Sequence, residues 1–404
     1  MRLGADIREK INKGETIYNF TIGDFDSSIF PIPKKLENEI IEAYKEKFTT
    51  YPPADGILSL RTAVAEFLKD REGLDYTPAE ILIAAGGRPL IYALYRAIVD
   101  RDDKVIYSVP SWNNNHYVHF VEGKHQVIET LAENNFMPLA ADIKPFISDA
   151  CLLALCSPLN PTGTVFKKKE LEDICDMVLE ENLRRGPEEK KLYVMYDQMY
   201  WTLTYGDTVH HNPVSLRPEM KDYTIFIDGI SKAFAGTGVR VGWAFGPAHV
   251  LGKMRAINSH VGAWSPMAEQ HAVAKYLTQK ESIDKYLENF KSELEERLTG
   301  IYEGFQKLKA EGFNVDACAP QAAIYLTIKI DIAGQKTEDG TVVAHQKDVT
   351  AYILDKAKLA IVPFYAFGAP DNSSWYRLSV GTCRKEEIDE MLTKLKEALV
   401  ALNK

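Results

Sequence analysis

Cysteine is scarce in this chain and shows no pairing pattern: the five residues Cys151, Cys156, Cys175, Cys318 and Cys383 include no CxxC. An odd, scattered set disfavours a disulfide scaffold or a thiolate zinc site and leads to the expectation of a reducing, cytoplasmic setting. The histidine pairs His116/His119 and His210/His211 come without a third ligand pattern, so no metal site is expected. Long apolar runs are lacking as well. Nothing reaches the ~18 apolar residues of a membrane span, so no membrane partner is expected. Met1 to Lys10 alternates charged and apolar residues, unlike the apolar core of a signal peptide. Excess positive charge is also missing. Against 57 acidic residues stand 48 lysines and arginines, a net charge of −9. That excludes a general phosphate-backbone binder, and hence a nucleic-acid partner, while leaving room for a local basic pocket that takes a small anion. There is no internal repeat and no low-complexity segment.

What is present is ordinary globular composition over 404 residues, 46% hydrophobic and 26% charged, enough for two domains. Apolar spacing predicts helices over Pro33–Phe48 (Leu36, Ile40, Ile41, Tyr44) and Leu58–Asp70. Short runs rich in Ile, Val, Leu and Tyr then alternate with helical patterns. They predict strands over Glu80–Ala85, Lys104–Val109, Gln126–Thr130, Cys151–Cys156, Leu192–Tyr196, Thr224–Asp228 and Val241–Phe245, with a helix over Pro89–Val99. This is the signature of an α/β domain with a mostly parallel sheet. Met267–Leu308 is helical for most of its length, its apolar stripe is expected to be core, and it is placed to bridge two domains. Beyond Gly312, strands over Ala322–Ile330 and Trp375–Val380 and helices over Asp348–Lys358 and Lys385–Leu402 predict a smaller α+β domain, with Ala333–His345 an exposed loop.

Chemistry-bearing residues cluster after the predicted strands. Lys232 follows one strand and precedes the glycine-rich segment Gly236-Thr237-Gly238-Val239-Arg240-Val241-Gly242. Ser157-Pro158-Leu159-Asn160-Pro161-Thr162-Gly163 follows another, Asp197-Gln198-Met199-Tyr200 a third. Gly86-Gly87-Arg88 follows a strand and opens a helix, the arrangement that offers free backbone N–H groups to a phosphate. Singly, each has a plain structural reading: a surface lysine, a chain reversal, a helix cap. Jointly they stand at the edge of an α/β sheet where ligands bind. They supply the lysine and the acid that pyridoxal phosphate chemistry requires.

In these motifs, and in their order from Ile22-Gly23-Asp24 to Tyr376-Arg377-Leu378-Ser379, the chain resembles the class I/II aminotransferases of the aspartate aminotransferase superfamily, fold type I. The resemblance implies pyridoxal 5'-phosphate as cofactor. It implies an α/β fold in which a mostly parallel-sheet cofactor domain with helices on both faces (49–290) joins a smaller α+β domain built from both chain ends (1–48 and 291–404). It implies transfer of an amino group from an L-amino acid to a 2-oxo acid by a ping-pong mechanism, with the cofactor carried on Lys232 as a Schiff base. Asp197 then pairs with the pyridinium nitrogen, Asn160 and Tyr200 with the phenolic oxygen, and Arg240, Gly87, Arg88 and Ser231 with the phosphate. Trp112 stacks on the ring. Arg377 grips the substrate α-carboxylate, with Asn160 and Gly23 beside it. Tyr51 reaches the phosphate of a second subunit, so a homodimer with shared active sites is implied. As catalytic residues the resemblance marks Lys232, Asp197 and Tyr200.

This sequence departs from the family in two places. Many members have serine three residues before the lysine; here that position is Gly229, which puts one phosphate contact in doubt. The stretch Asn113-Asn114-Asn115-His116 is read as a polar turn without an assigned role. Phe364, Tyr365, Phe367 and Trp264 point weakly to an aromatic-tolerant pocket. Two alternatives are a pyridoxal phosphate-dependent lyase, which needs the same lysine, aspartate and arginine, and a regulator that binds the cofactor. The negative charge and the short segment before Gly23 disfavour the regulator.

Overall fold

Strands that are apolar along their whole length must be covered on both faces, and in this chain such strands, with the mostly exposed edge strand Lys124–Glu129, form one seven-stranded sheet. A computed structural model describes residues 3–337 and 340–403. Its strands are β1 (Ile81–Ala84), β2 (Lys104–Val109), β3 (Lys124–Glu129), β4 (Ala150–Cys156), β5 (Tyr193–Asp197), β6 (Thr224–Gly229) and β7 (Gly242–Phe245), in the order β1-β7-β6-β5-β4-β2-β3. Neighbours run parallel except β7, which is antiparallel to β1 and β6. Each expected strand is present, with ends shifted by a residue or two. One apolar cluster covers each face: Leu153, Leu155, Val194, Tyr196 and Phe226 on one side, Leu152, Ala154, Met195, Ile225 and Ile227 on the other.

Register fixes where chemistry can happen. Cys156 pairs with Asp197, and Asp197 with Ile227, so β4, β5 and β6 end side by side. Beta strands β6 and β7 meet at Gly229 opposite Gly242. A Cβ on Gly229 would lie 2.8 Å from the Gly242 Cα and 2.9 Å from the Val241 carbonyl oxygen. The departure from serine at this position thus has a packing reason: the two backbones leave no space for a side chain.

A second, four-stranded antiparallel sheet holds Val362–Pro363, Trp375–Ser379, Tyr325–Ile330 and Val315–Ala317 in that order. The chain start joins it: Tyr18–Asn19 pairs in parallel with Leu359–Ala360, and the Ser379 N–H donates to the Phe20 carbonyl at 2.9 Å. The region from Met267 onward is two helices, Met267–Leu277 and Lys280–Ala310, separated at Thr278–Gln279. The second puts Ile283 into the core of the large sheet and Leu294, Leu298, Ile301 and Phe305 into that of the small one. The division expected at residue 290 falls inside this helix. Leu3–Asn12 is a helix that the sequence reading did not anticipate; its Ile7 packs on Leu354 and Ala360. In the expected loop 333–345, Lys336–Thr337 pairs with Leu402–Asn403, Val343 is buried, and residues 338–339 lie outside the described set. Among the described residues, no helix is long and apolar enough to cross a membrane.

Candidate active site

The carboxyl ends of β4, β5 and β6 open onto a cavity of about 620 Å³. Gly23, Gly87, Arg88, Trp112, Asn160, Asp197, Tyr200, Ser231, Lys232, Arg240 and Arg377 all line it. Tyr51, also expected to contact the cofactor, does not line it. It is 83% exposed, edge-on to Trp264 at 5.3 Å, beside a separate surface hollow.

Lys232 sits on a single helical turn, Ile230–Ala233, directly after β6. Its Nζ donates to the Gly23 carbonyl at 2.7 Å, and the Phe25 and Tyr200 rings lie 5.4 and 5.8 Å away. Burial pulls the ammonium down to about 8; the Asp24 carboxylate opposes this, and Arg377 and Arg88 reinforce it. Asp197 ends β5. Burial pushes its carboxyl up to about 6, offset in part by the Met199 N–H, which donates to Oδ1 at 3.1 Å. A buried carboxyl that lacks a cation is raised in this way, and a cationic N–H placed against it reverses the shift.

The phosphate-type cradle is built from backbone. The helix Gly87–Ile98 starts at the cavity, capped by Gly86 at φ 87°. A Cβ on Gly86 would fall 2.3 Å from Arg240 Nη2, which donates to the Ala85 carbonyl at 2.6 Å. Arg240 itself has φ 62°, a left-handed conformation that turns its guanidinium back across the loop onto the helix start. Free N–H groups at a helix N-terminus beside an arginine fork suit a phosphate monoester.

Arg377 enters from the small sheet, where it pairs with Thr327 and Val362. It is 7% exposed, with Nη1 donating to Asn160 Oδ1 at 3.1 Å and Nη2 to the Thr21 carbonyl at 2.7 Å. Its guanidinium lies over Tyr325 and Phe367, and Nε is buried without a partner. Tyr325 was missed in the sequence, where it read as one apolar position in a strand. Its hydroxyl meets the Tyr200 hydroxyl at 2.6 Å, and a Cβ on Gly23 would lie 2.9 Å from it. Asp24 was also missed: its Oδ1 accepts from Thr237 Oγ1 at 2.7 Å, tying the N-terminal segment to the loop that carries Arg240.

Two readings are corrected by these positions. The asparagine run is no mere polar turn, because Asn114 is buried at the cavity, accepting from the Tyr95 hydroxyl at 2.9 Å and donating to Ser111 Oγ at 3.2 Å. Phe364, Tyr365, Phe367 and Trp264 do not line the cavity; only Phe367 touches it, through Arg377. In their place stands Arg88, whose guanidinium lies 4.8 Å over the Trp112 ring, with no ion pair among the described residues.

Lys232, Asp197, a helix N-terminus and the arginines Arg88, Arg240 and Arg377 thus line one cavity. The family model "Aminotransferase class I and II" matches residues 15–395, and the chain belongs to that family. It is a transferase whose cofactor is pyridoxal 5'-phosphate, with the fold type I architecture. The chain is 30% identical over 386 residues to an aspartate aminotransferase of Bacillus sp. (strain YM-2), covering 95% of this chain and 91% of that one. It is 29% identical to a probable aspartate/prephenate aminotransferase of Rickettsia prowazekii (strain Madrid E), over 92% of this chain and 90% of the other. The crystal structure of the aspartate aminotransferase from Rhizobium meliloti superposes with a TM-score of 0.89 at 25% identity, over 100% of this chain and 96% of its own.

Proposed function

We propose that this aminotransferase moves the amino group of an L-amino acid to a 2-oxo acid by a ping-pong route, with the cofactor carried on Lys232 as a Schiff base. The observation that carries this reading is the convergence of Lys232, Asp197 and Arg377 on one cavity. When bound, the cofactor supplies an electron sink for the negative charge left on the substrate Cα. Asp197 would hold a cationic ring N–H of the cofactor and favour its protonated form. Asn160 and Tyr200 would hold the group through its phenolic oxygen, Trp112 would stack on its ring, and Gly87, Arg240 and Ser231 would hold the phosphate, while Arg88, expected from the sequence to join them, is assigned instead to the substrate. Lys232 Nζ, lowered to about 8 by burial, gains and loses a proton near neutral pH, as a group that moves the Cα proton must. Arg377, held by Asn160 and Thr21, presents a planar fork to the α-carboxylate, with Gly23 leaving room beside it.

Arg88 supports a narrower substrate class. A cation facing the cavity without an acidic partner favours a second carboxylate on the substrate, and relatives are named for aspartate and prephenate. The proposed donors are therefore dicarboxylic amino acids. A panel of amino donors with 2-oxoglutarate as acceptor tests both levels. No turnover with any donor contradicts the transaminase reading; turnover confined to monocarboxylic donors contradicts only the role of Arg88. A homodimer is part of the proposal: Tyr51, with Tyr44 and Ile41 beside it in sequence, is exposed, as a residue that serves a second subunit must be in an isolated chain.

A further inference from the structure

The segment leaving β5 sends its side chains two ways. Asp197, Met199 and Tyr200 line the cavity. Gln198 and Trp201 turn away into a buried polar cluster. Gln198 Nε2 donates to Glu72 Oε2 at 2.7 Å, and Trp201 Nε1 to Asp228 Oδ2 at 2.9 Å. Asp228 Oδ1 also accepts the Gly229 N–H at 2.6 Å, three residues before Lys232, and Glu72 Oε1 accepts from Asn212 Nδ2 at 3.2 Å. His210 Nε2 lies 3.7 Å from Glu72 Oε1, with both ring nitrogens otherwise unpartnered. Among the described residues no lysine or arginine pairs with either carboxyl.

Resting on the proposed use of Asp197 and Tyr200, we propose that Glu72 and Asp228 are positioning residues for the reaction, gripping Gln198 and Trp201 so that the intervening turn holds the Asp197 carboxyl and the Tyr200 hydroxyl in place. Two buried carboxyls with no cation beside them cost stability. What they provide is two fixed acceptors, one for Gln198 and one for Trp201, in a five-residue segment that carries two cofactor contacts. Burial, with repulsion from Asp228, pushes Glu72 up, and burial pushes Asp228 up as well, so the neutral form of Glu72 is favoured as a hydrogen-bonding group. A glutamine can therefore replace it. The Gln198 Oε1 atom, buried and unpartnered, is available to the new amide once Gln198 turns over.

The test uses full-length protein with pyridoxal 5'-phosphate and three variants, Glu72→Ala, Glu72→Gln and Trp201→Phe. The readouts are the visible band of the bound cofactor and the pH at which it titrates, kcat and KM, and Tm. Because small misplacements are costly in catalysis, Glu72→Ala is expected to lower kcat roughly tenfold or more, leave KM within about threefold and move the titration midpoint by ~0.5 unit or more. Glu72→Gln is expected to restore both, and Trp201→Phe to fall between. A Glu72→Ala protein that melts earlier but keeps the band, its midpoint and kcat overturns the proposal. If that variant does not fold, Trp201→Phe decides alone, and an unmoved band with unchanged kcat overturns it. Wild-type protein that takes up no cofactor overturns this proposal and the functional reading together; wild type labelled at Lys232 with unmoved variants overturns this one only.

Discussion

Lys232 and Asp197 meet the same electrostatic cost in one cavity and shift in opposite directions: burial disfavours the charged form of each, lowering the amine and raising the acid. Two outcomes follow at this scale. In cofactor-free protein the free amine, not the ammonium, attacks a carbonyl. The rate of cofactor uptake should therefore rise with pH about a midpoint near 8, well below the 10.5 of an ordinary lysine. Asp24→Asn should lower that midpoint further, since its carboxylate favours the ammonium. A stopped-flow absorbance series against pH measures both, and a midpoint near 10 contradicts the burial account. Arg377 gives the second outcome. Removing one partner of a buried charge pair costs about 2–5 kcal/mol, so Arg377→Ala should lower kcat/KM by roughly 30-fold or more for every amino acid and oxo acid alike, with the bound cofactor's spectrum unchanged. Arg377→Lys should recover part of the loss, because an ammonium cannot form two parallel bonds. A loss confined to dicarboxylic substrates in steady-state assays would reverse the assignments of Arg377 and Arg88. Lys232 and Asp197 were legible in the sequence as charges at the ends of apolar strands once their motifs were read together, whereas Arg377, inside the strand Trp375–Ser379, was legible only through the family resemblance. Tyr325 was not, since a tyrosine within Ala322–Ile330 reads as core.

Among the elements, the inner strands of the large sheet were legible because their apolar runs are continuous, whereas the break at Thr278–Gln279 carries no glycine or proline to announce it. The β6–β7 pair explains a departure that the sequence only recorded. Since a Cβ on Gly229 meets Gly242 and Val241 backbone, Gly229→Ser should supply no phosphate contact. It should destabilise the fold by about 1–3 kcal/mol through overpacking. Calorimetry showing an unchanged Tm, together with tighter cofactor binding, would mean that the strands part easily and the packing account fails. Asn114 shows the limit of composition: three consecutive asparagines look like a turn, and only the fold shows that one of them is buried beside Trp112 and hydrogen-bonded to Tyr95.

For the whole molecule, the helix Lys280–Ala310 belongs to both cores, and the cavity takes Lys232 and Asp197 from one sheet and Arg377 from the other. The site thus depends on how the two parts meet. That was legible only as a family resemblance, because no local pattern says which chain ends share a sheet. The proposed role of the exposed Tyr51 would extend the dependence to a second subunit. Tyr51→Phe should weaken cofactor binding without unfolding the chain, and sedimentation of wild-type protein should give a dimer; an active monomer contradicts the shared site. The central claim is the chemistry of Lys232, and borohydride reduction tests it most directly. The purified protein should be yellow, reduction should fix the cofactor, and peptide mapping should place the label on Lys232, with Lys232→Ala unlabelled and inactive. A label on any other lysine, or turnover by Lys232→Ala equal to wild type, would contradict the account.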